Sequence, residues 1–223
     1  MLYNSINFSL PIEFEENWTV RTSSPSTFIC PSDAPFRSPF PVVAASAPGA
    51  AEGEVICDLP SSSYVGCFGQ GDPSSLYPYN PTDAPPGRDA GEGLFSRNRG
   101  ISIPEITDGT SQTFAVGERS QGISRATWAG VITDAVVPMT HPQGEAAPPP
   151  AAADALVVST AGGRDGPNAV PPSPDQFGSG HPGGAFFLYA DGSARFMKDR
   201  RPSEIFRALA TRAGSEMISD EPF

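Results

Sequence analysis

Residue types that carry acid–base or nucleophilic chemistry are few in this chain. Its histidines are His141 and His181, and its cysteines are Cys30, Cys57 and Cys67. Ser111, His181 and either Asp108 or Asp191 supply the types of a nucleophile, a base and an orienting carboxylate. No G-x-S-x-G elbow frames a serine, so hydrolysis is the weakest reading. Calcium takes carboxylate and carbonyl oxygens from loops, and Asp108-Gly109-Thr110-Ser111, Glu118 and Asp191 offer some of them. The D-x-[DN]-x-[DN]-G loop is absent, and Asp-Gly pairs more often make turns. Zinc held by His141, His181 and the cysteines is weaker still, because no C-x-x-C pair is present. Neither a Walker loop nor a dinucleotide fingerprint occurs. The expectation is therefore no cofactor, with calcium the one ion worth testing.

His181 sits in the glycine-rich run Gly178-Ser-Gly-His-Pro-Gly-Gly184. A structural role fits it best: the imidazole bonds a carbonyl or carboxylate and locks the loop where a strand begins. A strand leading away from His181 ends in a turn at Asp191, which places those two side chains far apart.

That strand opens the clearest element. Ala185–Ala190, Asp191-Gly192 and Ser193–Lys198 read as a hairpin whose Asp-Gly pair suits a two-residue type I′ turn. The register predicted from it pairs Phe187 with Phe196 and Phe186 with Met197. One face then holds Phe187, Tyr189 and Phe196, and the other holds Phe186, Leu188 and Met197. Both faces are apolar and call for cover on both sides. Ser203–Arg212 is the one good helix, capped by Ser203 and ended by Gly214, with Ile205, Phe206, Leu209 and Ala210 in a stripe. The second face wants a longer helix, expected upstream of this sequence. Leu2, Tyr3, Ile6 and Leu10 at helical spacing suggest a chain that starts in mid-pattern.

Elsewhere the pattern predicts a short strand at the apolar triplet Phe28–Cys30 stopped by Pro31, and strands at Ser63–Gly69, Gln112–Glu118 and Ala126–Ile132. A turn is expected at Asp108-Gly109. Residues 34–100 and 136–179 read as long loops, with an extended proline-rich spacer at 146–153.

Composition narrows the classes. Among 223 residues there are 26 prolines and 23 glycines, so the chain is loop-rich rather than mostly helical. A net charge of −11 argues against a phosphate-tracking, nucleic-acid surface. No apolar run is long enough to span a bilayer, and Met1–Phe8 is neither a secretion signal nor a transit peptide. Three cysteines allow one disulfide plus a thiol in an oxidising compartment, or three thiols in the cytosol.

His181, nine intervening residues, then Asp191-Gly192 form an H-x9-D-G signature within Phe177–Phe196. That segment resembles the C-terminal block of prepilin-type, processing-associated H-x9-D-G proteins, part of the domain-of-unknown-function 1559 family. Further blocks follow in the same order: Leu2–Phe8, Phe28-Ile-Cys30-Pro-Ser-Asp33, Tyr64–Gly66, Ile106–Ser120 with Asp108, Gly109 and Glu118, and Arg207–Gly214. With His181, Gly183, Gly184, Asp191 and Gly192, these make up the structural motif the resemblance implies. It implies one α+β pseudopilin-like head over 1–223, with an antiparallel sheet, few short helices, long Pro/Gly-rich loops and a C-terminal block at 177–223. It implies no enzymatic activity, an extracytoplasmic setting (periplasm or cell surface), and a place in a type II secretion or type IV pilus-like system. Partners would be other pilin-like subunits, or copies of itself, through an N-terminal helix this sequence lacks; that helix would also be its only membrane contact. The alternative is an extracytoplasmic module binding polysaccharide or a secreted protein through its loops, favoured by exposure of Trp18, Trp128, Tyr77 or Tyr79.

Overall fold

The computed structural model describes residues 2–36, 39–44, 53–71, 91–96, 99–133, 135–137, 151–162, 166–200 and 202–216. Their strands are β1 (Phe40–Ala44), β2 (Val55–Leu59), β3 (Tyr64–Gly69), β4 (Phe114–Glu118), β5 (Ala135–Val137), β6 (Ala151–Ala152), β7 (Val158–Thr160), β8 (Gly184–Tyr189) and β9 (Ala194–Lys198). The α-helices are α1 (Trp18–Thr22) and α2 (Ser203–Ala208). Two sheets and a few short helices make this an α+β protein. The chain forms two compact units: Met1–Val65, Arg119–Val157 and Pro172–Asp175 in the first; Gly66–Glu118, Val158–Pro171 and Gln176–Phe223 in the second.

The first unit holds the sheet ordered β2-β1-β5-β6. Alternation puts Phe40 and Val42 of β1 inward, opposite Leu59 and Cys57 of β2. These four pack with Ile132, Ala135 and Leu156 as one core cluster. The hairpin-like pair β1–β2 lies inside the stretch 34–100, where low complexity masked its period of two. Three local expectations are corrected here. Ala126–Ile132 is not a strand; it makes a bridge at Thr127 and then turns at Gly130, φ +140°. Around Thr27 the chain forms 3-10 turns, Ser26–Phe28 and Pro31–Phe36, because Pro25 and Pro31 set helical-turn entry angles. Leu2–Ser5 is a single 3-10 turn that buries nothing, and the run stops by Pro11.

The second unit holds the sheet ordered β7-β3-β4-β8-β9, parallel at β3–β7 and antiparallel at β4–β8 and β8–β9. Its core is aromatic. Phe114 lies 4.6 Å from Phe187 and 5.7 Å from Phe206, and Phe177 lies 5.1 Å from Phe187, ring centre to ring centre. Gly117 makes room for them: a Cβ there would stand 2.5 Å from the Phe177 ring. Phe206, Leu209 and Ala210 are buried as the stripe required. The helix itself is shorter than its pattern, ending at Ala208, and Ser203 makes no cap: Pro202 is the N-cap residue. A proline there fixes the extended entry without a side-chain acceptor.

The hairpin forms, one residue out of the expected register. Phe186 pairs with Phe196, Phe187 with Arg195 and Leu188 with Ala194. Tyr189 N–H bonds Ser193 O at 2.8 Å and Gly192 N–H bonds Tyr189 O at 3.0 Å, closing a three-residue loop, Ala190-Asp191-Gly192. Gly192 alone takes a left-handed φ, +85°, so the turn carries a glycine bulge instead of the two left-handed residues of type I′. A one-residue slip exchanges faces. Ala185, Phe187, Tyr189 and Met197 are buried, whereas Phe186, Leu188 and Phe196 are 40–44% exposed.

Candidate functional site

Strand β4 and the loop before β8 bring Glu118 and His181 together. Glu118 ends β4 and is 3% exposed. Its Oε2 accepts the Phe186 N–H at 2.8 Å, and its backbone carbonyl accepts the Gly178 N–H at 2.9 Å. Oε1 lies 3.4 Å from His181 Nε2, and the imidazole meets the Phe186 ring edge-on at 5.6 Å. A buried carboxylate needs such donors. The loop is held independently of the imidazole: Ser179 Oγ donates to Gly184 O at 2.7 Å and accepts the His181 N–H at 3.0 Å. Asn168 accepts the Ser179 N–H through Oδ1 at 2.8 Å and donates to Asp199 Oδ1 at 2.7 Å. Gly183 has φ +82°, and Gly184 lies so near the Met197 carbonyl that a side chain would not fit. His181 thus lies beside a carboxylate just ahead of β8.

Asp191 lies at the far end of β8. Its Oδ1 accepts the Ser193 N–H at 2.8 Å, with Arg195 Nη2 3.6 Å from Oδ2. The Ser193 hydroxyl and N–H, then Arg195, hold this carboxyl below its ordinary value. Asp108, ahead of Gly109 (φ +97°), accepts the N–H groups of Gly214 at 2.7 Å and Ser215 at 2.9 Å. It ties the segment after α2 to the loop before β4.

The candidate nucleophile and base do not meet. Thr110 O accepts the Asp191 N–H, which sets neighbouring Ser111 at the turn end of the hairpin, while His181 pairs with Glu118 at the other end. The length of β4, roughly 15 Å at ~3.3 Å per residue, lies between them. Glu118 and Asp191 are divided by the same strand length, so the carboxylates offered for calcium do not converge as a set, and the donors just named occupy each.

In the first unit, Cys30 and Asp33 open the 3-10 turn Pro31–Phe36, with the Asp33 N–H on Cys30 O at 2.9 Å. Asp33 is 4% exposed and accepts from Ser120 Oγ at 2.7 Å, Ser63 Oγ at 2.9 Å and the Gln121 N–H at 2.8 Å. Burial pulls the Arg125 guanidinium below its ordinary value, and the Asp33 charge opposes that shift. No disulfide joins Cys30, Cys57 and Cys67; all three are buried. Trp18 is 56% exposed, whereas Trp128 is half-buried and stacked on Phe28 at 5.2 Å. His141, Tyr77, Tyr79 and most of the proline-rich spacer lie outside the described residues.

Sequence reading missed Asn168, Asn17 and Gln121, polar residues that brace loops from within. Asn168 carried a faint signal, since Pro-Asn is turn-forming and its φ is +58°. Among the described residues, no helix is long and apolar enough to cross a membrane. No curated protein and no solved structure matches the chain. The ordered blocks around Cys30-Pro-Ser-Asp33, Asp108-Gly109 and His181 fall within a single match to a family model, SBP_bac_10, over residues 1–203, and the chain belongs to that family, described as Protein of unknown function (DUF1559).

Proposed function

We propose that this chain is a non-enzymatic, pseudopilin-like envelope protein, a structural or surface-display component of a type II secretion or type IV pilus-like system. The observation that carries the reading is the outer face of the β8–β9 hairpin. Phe186, Leu188 and Phe196 form a strip there, with the Phe186 and Phe196 rings 5.0 Å apart and each residue 40–44% exposed. A strip of that width, opposite a fully packed aromatic face, suits one helix lying along the sheet. Hydrolytic chemistry is not needed to explain His181, whose partner Glu118 is engaged in backbone and loop contacts.

Cell fractionation of the tagged gene product in its own host, with protease added to intact cells, tests the assignment. Recovery in the envelope or outside the cell is expected. A purely cytosolic product would overturn it. His181→Ala is expected to lower stability by about 1 kcal/mol, because it removes the polar contact with Glu118 and the edge-on packing against Phe186. A turnover abolished by that change would count against a structural protein.

A further inference from the structure

The stretch from Tyr3 to Trp18 carries aromatic side chains that stand in solvent: Tyr3 is 71% exposed, Phe8 67%, Trp18 56% and Phe14 47%. Scattered exposed apolar residues are ordinary, but a concentration of rings within sixteen residues marks an interaction surface. The Tyr3 and Phe8 rings lie 5.1 Å apart at 46°. Helix α1, which begins with Trp18, packs against the 3-10 turn Leu2–Ser5 that carries Tyr3 and against the turn Glu15–Asn17.

This face is set before any partner arrives. Asn17, 1% exposed, accepts the Asn7 N–H through Oδ1 at 2.8 Å. Its Nδ2 donates to the carbonyls of Asn7 at 3.3 Å and Pro11 at 3.1 Å. A backbone held this way loses little entropy on binding.

Charge then selects the partner. Glu13, Glu15 and Glu16 flank Phe14 and Trp18 along the chain, and the first basic side chain in the sequence, Arg21, is buried with Nη2 3.6 Å from Glu15 Oε1. Glu15 itself is 89% exposed. Aromatic faces attract cations through the ring quadrupole, and a guanidinium both stacks on rings and pairs with carboxylates. Phosphate-bearing surfaces meet repulsion at the same place. We infer that the face built from Tyr3, Phe8, Phe14 and Trp18 docks a basic, arginine-bearing segment of a protein partner. The net charge of −11 draws such a segment from a distance.

Calorimetric titration of the whole chain with a four-repeat Arg-Gly peptide, at low and at physiological salt, tests this. Saturable one-to-one binding is expected. Trp18→Leu, which keeps an apolar side chain but removes the ring, should weaken it at least 5-fold, as should Tyr3→Leu. Glu15→Gln together with Glu16→Gln should weaken it at least 3-fold, and Glu204→Gln, on α2 of the other unit, should leave it unchanged. Equal losses from the Glu204 and Glu15/Glu16 changes would show unspecific charge attraction and overturn the inference. So would an unaltered affinity in Trp18→Leu, or Trp18-dependent binding of cellohexaose or anionic vesicles where the peptide fails.

Discussion

Asp33 shows how much one buried carboxylate can organise. It receives two hydroxyls and a backbone N–H from residues 30, 87 and 88 positions away along the chain, all within the first unit. Asp33→Ala leaves those donors unsatisfied and Arg125 without its opposing charge; a loss of about 3 kcal/mol is expected in urea unfolding. Asp33→Asn retains acceptor oxygen and should cost less than half of that. A loss below about 1 kcal/mol for Asp33→Ala would show the hub to be redundant. Asp33 and Cys30 stood out in the sequence because they sit in one of the blocks that carry the family resemblance. Gln121 and Asn17 did not, because the worth of a buried amide depends on which carbonyls surround it: Ser62 and Ala126 for the one, Asn7 and Pro11 for the other.

At the scale of elements, the hairpin was legible and its register was not. Asp191-Gly192 fits a two-residue turn, and it fits equally a three-residue loop with glycine at its left-handed end. The neighbours decide: Ala190 N–H bonds Thr113 O at 2.8 Å and Asp191 N–H bonds Thr110 O at 3.1 Å, drawing Ala190 out of the ladder. No local pattern encodes those partners. The consequence is testable. Gly192→Ala, with open space for its Cβ but φ +85°, should cost about 1 kcal/mol. A type I′ turn would also strain Asp191, making Asp191→Gly stabilising; in the observed loop that change should destabilise, since it removes the Asp191–Ser193 bond. Thermal melts of the two variants separate the geometries. Strands β1 and β2 were hidden for another reason: Pro41 and short apolar alternation look like loop until Phe40, Val42, Cys57 and Leu59 are seen facing one core.

Over the whole molecule, burial rather than cross-linking governs the thiols. Cys67 is fully enclosed and its thiol is pushed up to about 12 by loss of solvent, against an ordinary value of 9.0. Its folded value is raised, so its contribution to stability is complete below pH 9 and is lost as pH rises from 9 to 12. Stability should therefore fall through that window, and less so in Cys67→Ala. At pH 8 a disulfide-exchange reagent should label Cys67 only after denaturation; rapid labelling of the native protein would contradict the burial. The seating of Gly91–Phe95 on β3 has a different consequence. Phe68 O and Cys67 O accept the N–H groups of Gly93 and Phe95 at 2.8 and 3.0 Å, and Arg212 Nη1 clasps the carbonyls of Gly91 and Gly93 at 2.7 and 2.8 Å. Arg212 is thereby a latch: one guanidinium, carried on the turn after α2, pins a strip laid along β3, so fraying of the segment after α2 would release that strip as well.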